Sequence, residues 1–236
     1  MKILAIPFAG GNKYSYEMFQ KILPASVEWM TLELSGRGGR VSEPLMTTVQ
    51  DVVKDLYQQV KAILGRSEEQ YLIYGHSLGA LLGYELTLQI EQSSLSKPKH
   101  VFLSGRSAPM IAPRTDWTNL PAEEFWCKVD GDGGLPEGFL ESQELKDYYY
   151  PILISDFKLI SHYTHPVDHA KVQSAVTVWV GSQEINDTED GFKVEEVEAW
   201  QEVCEQTVEM ETYEGNHFFI FNHAPALIKV MRESCH

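Results

Sequence analysis

Short apolar runs alternate along the chain with longer amphipathic stretches. Six of the runs have the length and composition of buried strands, namely KILAIPF, VEWMTLEL, QYLIYG, HVFLSGR, AVTVWVG and VEMETYEG. Strands that alternate with helices favour a mainly parallel sheet that is covered by helices on both faces. The pattern therefore predicts an α/β fold.

The stretch at residues 49–64 shows the clearest helical periodicity, because its apolar residues recur at intervals of three and four. Thr48 stands where a capping side chain would lie, and Gly65 stands where a helix commonly ends. The runs ALLGYELTLQI and APALIKVMRE predict two more helices, and Pro225 lies in the first turn of the second one.

Residues 120–166 interrupt this alternation with three helix-like, aromatic-rich stretches, EEFWCKV, ELKDYYYPIL and DFKLISHY. These stretches could be extra helices that pack on the sheet, or they could form a lid above it. Their place between the fourth and fifth predicted strands, on the side where catalytic loops would emerge, favours a lid. We therefore expect one domain at residues 1–236, with a helical lid inserted at residues 120–166.

A serine stands between two glycines where the third predicted strand meets the next helix, in Gly75-His76-Ser77-Leu78-Gly79. The segment fits the G-x-S-x-G pattern of the nucleophile elbow, a strained turn that exposes a serine hydroxyl above the sheet. Side chains two positions before and after the serine would collide with the backbone, which explains both glycines. The motif predicts an α/β-hydrolase fold with Ser77 as the nucleophile, while His76 would point away and support the turn.

A serine nucleophile needs a base, and the base needs an orienting acid. In α/β-hydrolases the acid and then the histidine follow the serine along the chain. His217 lies in the loop after the last predicted strand and is the candidate base. The acid should lie in the loop GSQEINDTEDGF after the fifth strand, where Glu184 is the first choice, Asp187 the second and Asp190 the third.

The oxyanion of a tetrahedral intermediate must be stabilised by two hydrogen-bond donors. The backbone N–H of Leu78 follows the serine at the start of a predicted helix and would supply one donor. The loop PFAGG after the first strand would supply the other, from Ala9 as the first choice and Phe8 as the second.

Metal and disulfide chemistry are not favoured by the sequence. His162, His165 and His169 have a spacing that could hold a metal ion on one helix face, but Pro166 interrupts that helix. No cysteine or carboxylate cluster joins them in the sequence. The three cysteines are widely separated and form no CxxC pair, so we expect reduced thiols. We therefore expect neither a metal nor a cofactor.

Composition narrows the possible function classes. The 236 residues carry a net charge of −15, which argues against binding to nucleic acid or to an anionic membrane surface. The first residues, MKILAIPFAGG, are broken too early by proline and glycine to be a signal peptide. No stretch has the roughly 18 apolar residues that a membrane span needs. We expect a cytoplasmic protein.

Several motifs together resemble the type II thioesterases, the stand-alone editing hydrolases of non-ribosomal peptide and polyketide assembly lines. These motifs run over nearly the whole chain and are PFAGG, LELSGRGGR, GHSLGA, LPAEEF, GGLPEGFLESQELKDYYYPILISDFKLISHY and EGNHFF. The resemblance implies Ser77 as nucleophile, His217 as base, and Leu78 and Ala9 as oxyanion donors. The family usually has aspartate in a G-x-x-D pattern after the fifth strand, whereas this chain has Glu184 there.

The resemblance implies hydrolysis of an acyl thioester on the phosphopantetheine arm of a carrier protein, and we expect the enzyme to be a monomer. Carrier proteins are usually acidic and so is this chain, so docking would need a local basic or apolar patch. The candidates for a basic patch are Arg37, Arg40, Arg106 and Arg114, although scattered surface charge is the favoured interpretation of these residues. The aromatic residues that could line an acyl channel under the lid are Phe125, Trp126, Tyr148, Tyr149 and Tyr150.

Two other functions remain open from the residues alone. The same elbow and triad would serve an esterase that acts on small-molecule oxygen esters. The unusual acidic loop would also fit a hydrolase-like binding protein without turnover. The ratio of thioester to oxygen-ester hydrolysis distinguishes a thioesterase from an esterase. Covalent labelling of Ser77 distinguishes an enzyme from a binding protein without turnover.

Overall fold

The computed structural model describes residues 1–65, 69–186, 188 and 191–234. The strands in this part of the chain are β1 (Lys2–Ile6), β2 (Glu28–Thr31), β3 (Tyr71–His76), β4 (His100–Ser104), β5 (Ala175–Gly181) and β6 (Glu209–Tyr213). They form one sheet in the order β2-β1-β3-β4-β5-β6, and every neighbouring pair is parallel. All six predicted strands are present, and the mainly parallel sheet is confirmed.

Helices connect the strands and cover the sheet. The α-helices in the described ranges are α1 (Glu17–Ile22), α2 (Val49–Leu64), α3 (Leu78–Glu91), α4 (Ala122–Gly131), α5 (Gln143–Ser161), α6 (Val194–Glu198), α7 (Phe219–Asn222) and α8 (Ala224–Glu233). The bounds of α2 and α8 are those predicted. Helices α1, α6 and α7 were not predicted, because so few residues leave no periodic signal.

Helix α2 shows how closely local chemistry sets an element's ends. The Thr48 side chain accepts a hydrogen bond from the Asp51 N–H at 3.2 Å, which satisfies one of the free donors of the first turn. Gly65 ends the helix with a φ of 56°, a left-handed conformation that glycine adopts without steric cost. Both ends are confirmed.

The two faces of the sheet bury different side chains, as the two-residue repeat of a strand requires. In β3, Tyr71 and Ile73 pack with α2 and α3, whereas Leu72 and Tyr74 pack with α1 and α8. Because both faces are covered, the strand is a continuous apolar run rather than an alternating one.

Strand β2 is shorter than its apolar pattern predicts. It ends at Thr31, although the pattern continues to Leu34, which is also buried. The Glu33 N–H does not pair with a neighbouring strand but donates to the Gln59 side chain at 3.1 Å. The chain therefore leaves the sheet while it still packs on the core.

Helix α5 is longer than predicted, because the sequence suggested two separate stretches and the structure joins them. Pro151 lies inside this 19-residue helix and is exposed to solvent. Ile152 and Leu153, next to it, are buried. The apolar side of the helix therefore continues across the proline, whose missing N–H removes one backbone hydrogen bond.

The helices α4 and α5 enclose an aromatic-rich cluster of their own. Its buried members are Trp117, Phe125, Trp126, Val129, Phe139 and Leu153. Ala9, shortly after the end of β1, packs against this cluster, and α5 contacts α3. The two helices therefore lie over the carboxyl ends of the strands. Within the described ranges, no helix combines the length and apolar character that crossing a membrane demands.

Candidate active site

Ser77 occupies a strained turn between β3 and α3. Its φ is 56° and its ψ is −116°, and among the described residues it is the only non-glycine with a positive φ. The Ser77 N–H donates to the Ser104 carbonyl at 2.8 Å, so the turn is fixed against the end of β4. Strain of this kind in a rigid setting is typical of functional residues.

The two glycines around the serine are required by close backbone contacts. A Cβ at Gly75 would lie 2.0 Å from the Gly79 carbonyl oxygen, and a Cβ at Gly79 would lie 2.3 Å from the Ile6 carbonyl oxygen. The first contact keeps the turn tight. The second brings the N-terminus of α3 against the end of β1, where the predicted oxyanion loop begins.

We expect Gly79→Ala to destabilise the protein by about 1–3 kcal/mol, because backbone atoms cannot give way to the added methyl. Gly83, one turn later in α3, is the matched control. Its Cβ would meet nothing closer than the Leu103 side chain at 3.4 Å. Gly83→Ala should be neutral or stabilise by up to about 1 kcal/mol, through helix propensity. Thermal unfolding measures both, and equal melting temperatures for the two variants would contradict the explanation.

His217 lies in the loop between β6 and α7 and pairs with Glu184. Its Nδ1 is 2.6 Å from Glu184 Oε1, and the Gly181 N–H donates to Glu184 Oε2 at 2.7 Å. Both carboxylate oxygens are therefore engaged, and the side chain is 5% exposed. Glu184 was the first choice for the acid. Asp187 and Asp190, the second and third choices, lie outside the described residues.

The surroundings of His217 favour its charged form. Burial, the largest influence, lowers the pKa of His217, but the charge and hydrogen bond of Glu184 and the charge of Asp132 raise it. The net result is a pKa above its ordinary value. Since Nδ1 faces the carboxylate, Nε2 is the nitrogen left to exchange a proton with a substrate or a nucleophile.

The ring of His76 packs against the imidazole of His217. The two rings lie 4.8 Å apart, and His76 Nδ1 is 2.9 Å from Ser104 Oγ. Burial first, and the neighbouring His217 second, lower the pKa of His76 well below its ordinary value, so the ring stays neutral. Gly105 makes room for this arrangement, because a Cβ there would lie 2.4 Å from His76 Cε1 and 3.2 Å from His217 Cε1.

The predicted oxyanion loop forms a tight turn at residues 8–11. The Gly11 N–H donates to the Phe8 carbonyl at 2.9 Å, and Gly10 has a φ of 75°. The Gly10 N–H is taken by Asp156 Oδ2 at 2.7 Å and cannot serve an oxyanion. Ala9 and Phe8 line a cavity together with Ser77. Both residues that the sequence names as possible oxyanion donors therefore lie beside the serine's cavity.

Two cavities meet at the candidate site, and both are lined by Ser77, Asp132, Phe157 and His217. The more polar of the two, called here the polar cavity, has a volume of about 330 Å³ and mixed walls, with Arg106, Ser107, Arg114, Ser161, Gln183 and Asn186 beside the apolar Ile111, Pro113, Trp117 and Phe192. The apolar cavity has a volume of about 340 Å³, and its other walls include Phe8, Val129, Leu135, Phe139, Leu153 and Phe218. The serine therefore faces one cavity with mixed walls and one with mainly apolar walls.

The five aromatic residues that could line an acyl channel or belong to the core lie in different environments. Tyr149 lines the apolar cavity. Phe125 and Trp126 are buried inside the cluster of α4 and α5, and Tyr148 is 44% exposed. Tyr150 also packs against that cluster. In a helix only one side can face the cavity, and the sequence did not show which side.

The four arginines proposed for docking do not form a basic patch. Arg37 and Arg106 are 4% and 8% exposed, so a partner protein cannot reach them. The other two pair with acidic side chains, which are Glu43 and Asp55 for Arg40 and Glu196 for Arg114. These four arginines therefore provide no basic docking patch, and the sequence did not show the burial of Arg37 and Arg106 or the pairing of Arg40 with Asp55.

The histidines considered for a metal site take other partners. His162 follows the last residue of α5, and His165 and His169 lie in the loop beyond it. His169 Nε2 pairs with Glu85 at 3.0 Å, and His165 Nδ1 lies 3.2 Å from the Tyr163 hydroxyl. In the described ranges, no group of three or more His, Cys, Asp or Glu side chains could hold a metal ion.

The parallel sheet, the strained serine turn after β3 and the histidine loop after β6 define an α/β-hydrolase. A family model described as a thioesterase domain matches residues 1–235. The chain therefore belongs to the thioesterase family and is a thioester hydrolase. The family resemblance drawn from the motifs is confirmed.

Similar proteins cover the chain almost completely. It is 28% identical to the gramicidin S biosynthesis protein GrsT of Aneurinibacillus migulanus, over 98% of this chain and 87% of that protein. It is 27% identical to the thioesterase PikA5 of Streptomyces venezuelae, over 93% of this chain and 75% of that protein. The crystal structure of ClbQ from the colibactin NRPS/PKS pathway matches the fold with a TM-score of 0.87 and 24% identity, over 99% and 96% of the chains.

Proposed function

We propose that the chain is a type II thioesterase that removes acyl groups from the phosphopantetheine arm of a carrier protein in peptide or polyketide biosynthesis. The observation that carries the proposal is the His217–Glu184 pair beside the cavities that Ser77 lines. A relative named as a gramicidin S biosynthesis protein supports the setting. Family membership supports thioester hydrolysis.

In this proposal Ser77 is the nucleophile and His217 the general base. Ser77 Oγ attacks the thioester carbonyl while His217 Nε2 takes its proton, and Glu184 stabilises the imidazolium that forms. The carbon–sulfur bond then breaks, and the imidazolium gives its proton to the leaving sulfur. Water next attacks the acyl-serine ester with His217 as base again, which releases a carboxylic acid and restores the hydroxyl.

The oxyanion is held by the backbone N–H groups of Leu78 and Ala9 in the same proposal. Leu78 begins α3, so its N–H lies at a helix N-terminus, where negative charge is favoured. The contact of Gly79 with Ile6 brings the start of α3 and the end of β1 together, and so supports a donor from each.

The two cavities suggest how such a substrate would lie. The apolar cavity suits an acyl chain, and the polar cavity suits the amide-rich pantetheine arm. Helices α4 and α5 bound the apolar cavity, which supports the assignment of residues 120–166 as a lid within a single domain. Movement of these helices would open the apolar cavity to the acyl group and leave the ester accessible to the water that hydrolyses it.

Docking of an acidic carrier must rely on surface other than the four arginines. Leu145 lines the apolar cavity and is 40% exposed, and Tyr148 on the same helix is 44% exposed. These side chains offer an apolar contact beside the entrance to the site, which suits a partner of the same charge sign better than ion pairing does. A monomeric, cytoplasmic enzyme fits this proposal.

The test compares substrates that share one acyl group. We expect a higher kcat/KM for the acyl-carrier thioester than for the matched oxygen ester, and a lower value for an N-acetylcysteamine thioester, which lacks the carrier. Along a series of straight acyl chains, kcat/KM should rise about fourfold per methylene until the apolar cavity is filled, from about 0.8 kcal/mol per buried methylene.

A variant with a smaller apolar cavity tests whether that cavity causes the dependence of kcat/KM on acyl-chain length. Leu135→Trp fills part of that cavity, so it should lower kcat/KM for long acyl chains and spare the acetyl thioester. Faster hydrolysis of the oxygen ester would favour a small-molecule esterase. A flat response to chain length in both proteins would refute the acyl role of the apolar cavity.

A further inference from the structure

Arg37 and Asp156 form an ion pair that is almost excluded from solvent. The guanidinium donates to both carboxylate oxygens, from Nη1 to Oδ2 at 2.5 Å and from Nη2 to Oδ1 at 2.7 Å. The side chains are only 4% and 1% exposed. Arg37 lies in the loop after β2 and Asp156 on α5, so the pair joins the helix above the site to the body of the molecule. The cost of removing two charges from water can equal or exceed their attraction, so stabilising the fold does not by itself explain such a pair.

The same carboxylate holds the turn that is proposed to stabilise the oxyanion. Asp156 Oδ2 accepts the Gly10 N–H at 2.7 Å, and Arg37 Nη1 lies 3.5 Å from the Gly11 carbonyl oxygen. Leu153, one turn earlier in α5, closes the space beside Gly10, because a Cβ there would lie 2.8 Å from its Cδ2. One face of α5 therefore fixes the turn through a polar and an apolar contact.

The consequence for catalysis concerns the residue just before Gly10. Once the Gly10 N–H is fixed, the peptide that joins it to Ala9 cannot rotate. The Ala9 N–H belongs to the preceding peptide group, between Phe8 and Ala9. That group is fixed as well, because its Phe8 carbonyl accepts a hydrogen bond from the Gly11 N–H. The Ala9 N–H is thereby held in one direction before substrate arrives, and a donor that needs no reorganisation stabilises a developing oxyanion best.

We propose that Asp156 is a positioning residue for the oxyanion hole, and that Arg37 holds its carboxylate against the Gly10 N–H. This inference rests on the proposed function, because it takes Ala9 as an oxyanion donor. It also makes the geometry of the oxyanion hole depend on α5, a helix of the proposed lid. A shift of α5 that breaks the Gly10 contact would impair transition-state stabilisation.

Paired substitutions test the proposal without leaving one buried charge alone. Arg37→Met with Asp156→Leu removes the acceptor for the Gly10 N–H, whereas Arg37→Gln with Asp156→Asn keeps a neutral amide oxygen there. The control is Arg40→Met with Asp55→Leu, which removes a bidentate pair with contacts of 2.5 and 2.8 Å anchored in the same loop. No hydrogen bond of the control pair reaches the turn at residues 8–11 in the described structure.

Three quantities are measured for each protein at a temperature where circular dichroism shows it folded. They are kcat and KM for an acyl thioester, the Kd of a trifluoromethyl ketone analogue that forms a tetrahedral adduct, and the Kd of a thioether analogue without a carbonyl. We expect the Met/Leu pair to lower kcat about 10²-fold, the loss of one oxyanion donor. Ketone affinity should fall by a similar factor, while KM and thioether affinity should change little.

The Gln/Asn pair should recover most of the kcat, and the control pair should match the wild type. A folded Met/Leu pair with wild-type kcat, or an equal loss in the control, would overturn the proposal. If the Met/Leu pair does not fold, the Gln/Asn pair is the test of the proposal. An amide oxygen accepts the Gly10 N–H more weakly than a carboxylate does, so affinity for the ketone should fall more than affinity for the thioether. Equal reductions would then overturn it. A wild type inactive on every thioester would instead refute the proposed function.

Discussion

Ser77→Ala is expected to lower kcat for thioester hydrolysis about 10⁶-fold and to leave the fold intact. The loss is this large because the hydroxyl is the atom that forms the acyl-enzyme, and neither His217 nor the oxyanion donors can replace it. The substitution keeps the Ser77 N–H bond to Ser104 and adds no atom to the strained turn. Steady-state kinetics with an acyl thioester measure kcat, and thermal unfolding verifies the fold.

Ser107→Ala is the matched control, because Ser107 also lines the polar cavity and is 9% exposed. We expect its kcat to stay close to that of the wild type. A fluorophosphonate should form one covalent adduct with the wild type and with Ser107→Ala, but none with Ser77→Ala. An adduct on another residue, or a kcat for Ser77→Ala within about tenfold of the wild type, would refute Ser77 as the nucleophile.

The sequence predicted those helix ends and turns that depend on residues close together in the chain. The bounds of α2 follow from Thr48, Gly65 and an apolar face between them. The turn at Ser77 follows from the two glycines, which leave no room for a Cβ. Helix α5 was predicted as two stretches, ELKDYYYPIL and DFKLISHY, and the structure joins them into one helix whose buried residues Ile152, Leu153, Ser155 and Asp156 pack on distant parts of the chain.

The parts of the site that the sequence did not reveal depend on contacts between distant residues. Arg37 and Asp156 are separated by 119 positions, and nothing next to Arg37 distinguishes it from a surface arginine. The loop after β5 held several carboxylates, and Glu184 was only the first of three choices. The contacts that support Glu184 are its hydrogen bond from the Gly181 N–H and its pairing with His217, and neither is visible in the sequence.

Glu184→Gln is expected to lower kcat about 10⁴-fold, the second largest effect. The amide matches the carboxylate in size and can still accept the Gly181 N–H, so the loop should keep its shape. Its NH₂ group, however, would donate to His217 Nδ1 and leave the imidazole proton on Nε2, where Ser77 needs an acceptor. Glu196→Gln, on the wall of the polar cavity, and Asp187→Ala are the controls and should retain most of the kcat. A larger loss in Asp187→Ala than in Glu184→Gln would move the acid to position 187.

The pH dependence of kcat/KM in Glu184→Gln should show whether the variant loses activity through the missing carboxylate or through unfolding. The neutral imidazole of His217 is the active form, so activity falls as pH drops through its pKa. Glu184 contributes to holding that pKa above its ordinary value of 6.5, against the lowering effect of burial. In Glu184→Gln the charge is gone and burial remains, so the acidic limb should move to lower pH. Unfolding would reduce activity at every pH without moving the limb. An unmoved or raised limb in the folded variant would show that Glu184 does not govern the ionisation of His217.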